Sequence, residues 1–262
     1  MRLVLVLALS VALAGCAGTS ESRESGDASA TAATGAEAGS TASSDAQLPQ
    51  GGEPYPLDPA DFVPVIDNPY SPMTPGSSWV YREVDPDGTE QRVEVTVTGD
   101  TRVVQGVTAT VVHDVVTRDG ELVEDTLDWY AQDRAGNVWY LGEETAEYEG
   151  GAVVSRAGSW EAGVDGALAG IAIPADPQVG MRYRQEYYAG EAEDAGEVLS
   201  TGERVEVPFG SYTDVLMTRD TTPLQPEVVE HKFYAKGVGP VLALGISGGA
   251  GREELVAYTP GG

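Results

Sequence analysis

The chain has 262 residues, 42 of them Asp or Glu and 15 Lys or Arg, for a formal net charge of -27. That balance excludes a nucleic-acid binder, which needs a basic footprint to meet a polyanion. One cysteine and two histidines, His113 and His231, exclude a disulfide scaffold, a zinc finger and a Cys-His protease, while 41% hydrophobic residues is enough for a real core.

Met1-Arg2 is a short positive start, Leu3 to Leu13 is an apolar run, and Ala14-Gly15 lead into the lone Cys16. The run is too short for a hydrocarbon core that needs about 20 residues, so residues 1–15 read as an export signal. Leu13-Ala14-Gly15-Cys16 resembles the lipobox of bacterial lipoproteins. The resemblance implies cleavage before Cys16, a diacylglyceryl group on its sulfur and acylation, such as palmitate, of the new amino terminus. Two or more acyl chains, at about 0.8 kcal/mol per buried methylene, hold a protein stably where one does not.

Residues 17–52 are Ala, Gly, Ser, Thr and acids, with Leu48 the one large aliphatic and no aromatic. Such a stretch buries too little apolar area to offset its ordering entropy, so with Cys16 it reads as a disordered acidic tether spanning roughly 30 to 36 Å. The remainder, 53–262, carries 37 acids against 13 bases. Anionic lipids repel such a body, which leaves the lipid as its membrane attachment.

From Thr89 to Thr98, Val93, Val95 and Val97 alternate with Arg92, Glu94 and Thr96, the period of a half-buried strand. Asp87-Gly88, Asp119-Gly120, Ala135-Gly136 and Gly150-Gly151 each separate two apolar-rich runs, which is the mark of successive hairpins. The body is therefore expected to be all-β, an antiparallel meander with no amphipathic helix.

The meander is expected to be duplicated. Trp129-Tyr130-Ala131 and Gly136 return as Phe233-Tyr234-Ala235 and Gly239, at offsets of 104 and 103; at 104 as well, Gly76 and Trp79 fall on Gly180 and Tyr183, Gly106 on Gly210, and Val111-Val112 on Val215-Leu216. A first β unit over 53–157 and a second over 179–262 would pack as a sandwich or a half-open barrel. Between them, 158–178 has no strand periodicity but carries Trp160, Glu161 and Asp165. Such a connection is either functional or a plug, with Trp160 and Ile171 closing an open end.

Asn68-Pro69-Tyr70-Ser71-Pro72-Met73-Thr74-Pro75-Gly76 with Trp79-Val80-Tyr81, and Asp128-Trp129-Tyr130-Ala131-Gln132-Asp133 with Gly136-Asn137-Val138-Trp139-Tyr140, are similar to a family of actinobacterial secreted lipoproteins of unassigned biochemical role. The resemblance covers roughly 60 to 258. It implies an envelope location and β architecture, and brings no catalytic residue.

Chemistry-bearing patterns are sparse. No Gly-x-Ser-x-Gly elbow occurs and the two histidines lack metal-ligand spacing. Asp85, Asp87 and Glu90 flank Gly88 as an oxygen-rich turn of the kind that can hold calcium, although a solvated hairpin turn explains them better. Glu161 and Asp165 are a formal carboxyl pair for a secreted hydrolase acting on envelope polymers. Trp129, Trp139 and Trp160 are candidates for a ligand-binding wall, with the proviso that Trp129 and Tyr130 alternate faces and so cannot line one cavity together. No cofactor is called for. The reading that best joins anchor, spacer and duplicated sheet is a non-catalytic binding or interaction module on the extracytoplasmic face, for a small amphiphile, a peptide or another envelope protein.

Overall fold

A computed structural model describes residues 47–248 and 251–262; Cys16, the leader and most of the tether lie outside the described residues. In chain order a 3-10 turn, Pro59–Asp61, precedes β1 (Phe62–Val63), β2 (Ser78–Val84), β3 (Glu90–Val104), β4 (Val107–Arg118), β5 (Glu121–Asp133) and β6 (Val138–Glu149). There follow β7 (Ala152–Ser155), β8 (Trp160–Glu161), β9 (Leu168–Ile173), β10 (Arg182–Arg184) and β11 (Glu186–Tyr187). The last five are β12 (Ala195–Val207), β13 (Gly210–Thr221), β14 (Val229–Ala235), β15 (Gly239–Ser247) and β16 (Arg252–Thr259).

One antiparallel sheet runs β10-β12-β13-β14-β15-β16-β2-β3-β4-β5-β6-β9-β11. Its two ends are consecutive stretches of chain. Arg182–Arg184 pairs with β12, and Glu186–Tyr187, one residue further on, pairs with β9. The sheet thereby returns on itself as a nearly closed barrel, the arrangement that leaves the fewest unpaired edges.

Hairpin chemistry follows the sequence. Asp119 (φ 52°) and Gly120 (φ 83°) both take the left-handed conformation that a two-residue turn between twisted strands demands, and the turn joins Arg118 to Glu121 in register. In β3, Gln91, Val93 and Val97 are buried while Arg92, Glu94 and Thr96 face solvent, as a period of two requires. Each fully buried valine of this kind contributes about 1.5–3 kcal/mol.

The duplication is visible in individual hydrogen bonds. Gly76 N donates to Val97 O at 2.8 Å and Val97 N to Ser77 O at 2.9 Å; in the second unit Gly180 N donates to Val198 O at 2.8 Å and Val198 N to Met181 O at 2.9 Å. Gly76 and Gly180 share a φ of 87°. The β3–β4 hairpin, closed by Val104 opposite Val107, has its counterpart in β12–β13, closed by Val207 opposite Gly210.

Two stretches differ from the sequence reading. The span 158–178, expected to be irregular, contains β8 and β9, and β9 pairs with both β6 and β11 to complete the barrel. Its Leu168-Ala169-Gly170-Ile171-Ala172-Ile173 is buried at all but Leu168, so it has no alternation to read. Gly142 on β6 makes β8 possible, since a Cβ there would stand 2.9 Å from Glu161 Cα and from the Trp129 ring.

The tether's end is the other difference. Residues 48–52 are bound, not free: Arg184 N donates to Pro49 O at 2.7 Å and Gln50 Nε2 to Arg182 O at 2.6 Å. The buried Arg184 guanidinium donates from Nη1 to Gly51 O and Glu53 O, both at 2.7 Å, and from Nη2 to Ala169 O at 2.7 Å. Backbone carbonyls hold this segment together with Leu48, which packs against the core, and the buried Pro49; one aliphatic side chain in 36 residues is too little for a hydrophobicity criterion to find.

Candidate functional site

Side chains on alternate positions of each strand point into the barrel. Across the first unit the register sets Trp79 opposite Val95, Val95 opposite Asp114, Val112 opposite Asp128 and Tyr130 opposite Tyr140. These rows, with Lys232 and Tyr234 of β14, enclose a cavity with about 50 Å³ accessible to the centres of water molecules. That is room for about three to five waters.

Its walls are apolar and aromatic: Met73, Trp79, Tyr81, Val97, Val112, Tyr130 and Tyr234; its ionisable members besides the tyrosines are Asp114, Asp128 and Lys232, with Ser71 beside them. The Trp79 indole donates to Val238 O at 2.7 Å and the Tyr81 hydroxyl to Pro240 O at 3.1 Å, which fixes both rings. Tyr130 stacks on Tyr140 with centroids 4.8 Å apart, and Tyr140 meets Trp160 edge-on at 5.3 Å.

One side of the cavity is the loop Ser71–Met73, and its neighbours explain the Asn68–Gly76 string. Gln132 Oε1 accepts from Asp67 N at 2.9 Å and Asn68 N at 2.8 Å, while Asn68 Nδ2 donates to Gly136 O at 2.9 Å and Pro174 O at 3.2 Å. Gly237 N donates to Pro69 O at 2.7 Å. The loop is thus tied to both units over the cavity.

The repeat passes through this site. Tyr130 and Tyr234 stand 104 residues apart and both line the cavity, as do Asp128 and Lys232 at the same spacing. A site shared by equivalent strands of the two copies thus carries an acid and a base at one equivalent position.

The interior is unusually rich in carboxyls. Glu83, Asp114, Asp128, Glu143, Glu186, Glu230 and Glu253 are all buried, and among the described residues the buried cations are Lys232 and Arg184. Burial, then Asp128 and Glu124, pushes Asp114 well above the usual carboxylate range. Burial followed by Asp85 and Glu230 raises Glu83 to about 8. Asp128 rises to about 7 through burial, although the Tyr140 hydroxyl, donating to Oδ1 at 2.6 Å, opposes the shift. Glu230 also reaches about 7 by burial, against the pull of Lys232. For Lys232, burial works to lower the pKa, but Asp220 at 3.0 Å and Glu230 at 3.8 Å outweigh it and leave it raised. Asp128 is therefore poised to exchange a proton near neutrality and Asp114 is held toward its uncharged form, while the lysine stays charged.

The sequence candidates disperse. Trp129 faces away from the cavity, with the Arg102 guanidinium carbon 3.9 Å from its ring centroid. Trp139 packs against Tyr55 and Phe62 and donates to Asp133 Oδ2 at 2.9 Å. Trp160 is buried behind Tyr140 and donates to Glu186 Oε2 at 2.9 Å. Glu161 accepts from Arg102 Nε at 3.0 Å, Asp165 sits on an exposed turn with φ 50°, and neither lines the cavity.

The acidic turn is committed to its own hairpin. Asp87 Oδ1 accepts from Thr89 N at 2.9 Å, Asp85 Oδ2 lies 3.5 Å from Gln91 Nε2, and Glu90 faces Arg82 at 3.6 Å. Among the described residues no group of three or more His, Cys, Asp or Glu is placed to hold a metal ion. These contacts fit the solvated hairpin turn that explains Asp85, Asp87 and Glu90 better than calcium does. Sequence reasoning missed Asp114, Asp128 and Lys232; the signal available was a charged residue on the buried parity of an otherwise apolar strand, Asp114 between Val112 and Val116.

No protein-family model matches the chain, and no curated protein does. Two solved structures are similar to it, each at 12% identity, covering 73% of this chain and 99% of the other: a presumed lipoprotein of Parabacteroides distasonis, TM-score 0.43, and a presumed exported protein of Bacteroides fragilis with a YmcC-like fold, TM-score 0.41.

Proposed function

We propose that this chain is a lipid-anchored envelope protein, held on the extracytoplasmic face through Cys16, and that its barrel is a non-catalytic module taking a small amphiphile into the cavity between the two repeats. One observation carries the binding role: apolar walls from Trp79, Tyr81, Tyr130 and Tyr234 converge on the polar groups Asp114, Asp128 and Lys232. A mostly apolar concavity with a few convergent polar groups is the common form of a small-molecule site. The signal-like leader and the lipobox-like Leu13-Ala14-Gly15-Cys16 support the location.

Native mass spectrometry of gently purified full chain tests both parts. A mature polypeptide starting at Cys16 and heavier than its amino acids by acyl mass is expected, with a second, non-covalent adduct that gas-phase activation strips off. An unmodified Cys16 overturns the anchor. Absence of an adduct, together with an unchanged melting curve on adding short-chain amphiphiles, overturns the pocket.

A further inference from the structure

The acids of this body are not spread evenly. Four segments, 69–79, 207–211, 236–240 and 257–262, hold no acidic side chain and one basic one, Lys236, in a body with 37 acids over 53–262. The fold gathers them at one end of the barrel. Gly237 N donates to Pro69 O at 2.7 Å, the Trp79 indole to Val238 O at 2.7 Å and Gly261 N to Ser77 Oγ at 2.9 Å. Tyr258 stacks on Trp79 with centroids 5.3 Å apart, and Phe209 meets Tyr258 edge-on at 6.3 Å. Phe209, outermost in that row, is 42% exposed, and Pro75, Pro208, Pro260 and Lys236 of the same segments are exposed as well. The opposite end of the same strands is acidic: β2 runs from Ser78 to Val84 and on into Asp85, Asp87 and Glu90, while β15 finishes at Ser247, whose hydroxyl donates to Glu227 O at 2.7 Å.

Resting on the reading of the chain as a lipid-anchored amphiphile binder, we infer that this end is the face the barrel lays on the membrane, with Phe209 in the headgroup layer and the acidic end turned away. A carboxylate pressed against lipid loses water without gaining a partner and is repelled by anionic headgroups, so a body this acidic approaches a bilayer best by the face that lacks acidic side chains. An aromatic ring is favourable at headgroup depth, and the exposed prolines bring no backbone N–H that would need a partner there. Lys236 adds attraction to anionic headgroups. The partner is a lipid surface and not a protein because an anchor at Cys16 holds the bilayer beside the barrel at high effective concentration. Pro72 and Pro240, both half-buried, line the cavity from within these segments, which gives an amphiphile a short path between bilayer and cavity.

Nitroxide quenching on vesicles decides the matter. The acylated full chain carries one bimane label, on a cysteine introduced either by Ser211→Cys, beside the Phe209 turn, or by Glu90→Cys at the acidic end; both positions are exposed, and Cys16, its sulfur acylated, takes no label. On vesicles of phosphatidylcholine and phosphatidylglycerol doped with a headgroup-nitroxide lipid, the label at 211 is expected to be quenched at least about twofold more strongly than the label at 90, as burial of an apolar tip in the headgroup layer implies. Phe209→Asp is expected to abolish the difference with the chain still floating with the vesicles, and Lys236→Glu supplies the same comparison should that variant fail to melt cooperatively. Equal quenching at the two positions, or stronger quenching at 90, on a chain that floats with the vesicles overturns the docking face while the anchor stands. A difference that persists in both variants also overturns it, since the tether and not the face then sets the orientation. A chain that does not float with the vesicles overturns the anchor and the face together.

Discussion

Glu253 and Glu83 lie directly opposite each other across the β16–β2 ladder, both buried, and neither carboxylate oxygen of Glu253 has a hydrogen-bond partner. Burial, then Glu83 and Asp114, pushes Glu253 well above the ordinary carboxylate range. With Glu83 near 8 and Asp128 and Glu230 near 7, these folded-state values exceed the unfolded ones near 4. The folded chain then binds more protons than the unfolded chain across that interval, so the stability they contribute is complete below about pH 4 and lost as pH rises toward 8. The thermal midpoint is expected to be higher at pH 5 than at pH 8; a midpoint that is flat, or higher at pH 8, contradicts the arrangement.

Replacing Glu253 by Gln removes the ionisable group and gives Glu83 and Asp114 an amide donor. We expect Glu253→Gln to stabilise the protein by about 1–2 kcal/mol at pH 8, or about 2–8 °C in midpoint. The gain should shrink at pH 5, where the glutamate is protonated in any case. An equal gain at both pH values means the effect is packing and not charge.

Lys232 has the opposite sign. Its ammonium is the counter-charge for Asp220 and Glu230, and all three side chains are 6–7% exposed. Lys232→Met keeps the volume and strands the two acids, at a cost of about 3–5 kcal/mol. Denaturant unfolding reads the loss directly. A variant as stable as the parent at neutral pH shows the acids to be uncharged there without the lysine.

Arg184 fastens the tether to the strand that closes the barrel, through Gly51, Glu53 and Ala169 carbonyls. Arg184→Met should free residues 48–53 and raise their cleavage rate by a protease of broad specificity at least about tenfold, since protection there depends on local opening. Unchanged cleavage would place the attachment elsewhere, in the Pro49 carbonyl and Gln50 side-chain contacts.

Much of the fold was legible because strands announce themselves locally. The alternation of Val93, Val95 and Val97, the Asp119-Gly120 turn and the 104-residue recurrence of Tyr130 in Tyr234 depend on neighbours in sequence or on self-similarity. β9 was not legible, because Ala169–Ile173 is buried on both faces and reads as a bare apolar run. The site was legible only in outline. Alternation ruled that Trp129 and Tyr130 cannot share a cavity, but the conspicuous tryptophan faces away, against Arg102, and the tyrosine faces in.

By itself the sequence determined an acidic, duplicated antiparallel body preceded by a lipobox-like cysteine, since periodicity, turn chemistry and composition are properties of short stretches of chain. Closure of the barrel through Gln185, the capture of residues 48–53 by Arg184, and the meeting of Asp114, Asp128 and Lys232 around one cavity were decided only by tertiary structure. The capture and the cavity depend on segments that become neighbours across 100 or more residues, the closure on two short strands finding the two ends of the sheet, and a buried charge has the same letter in the sequence as an exposed one until its surroundings take the water away.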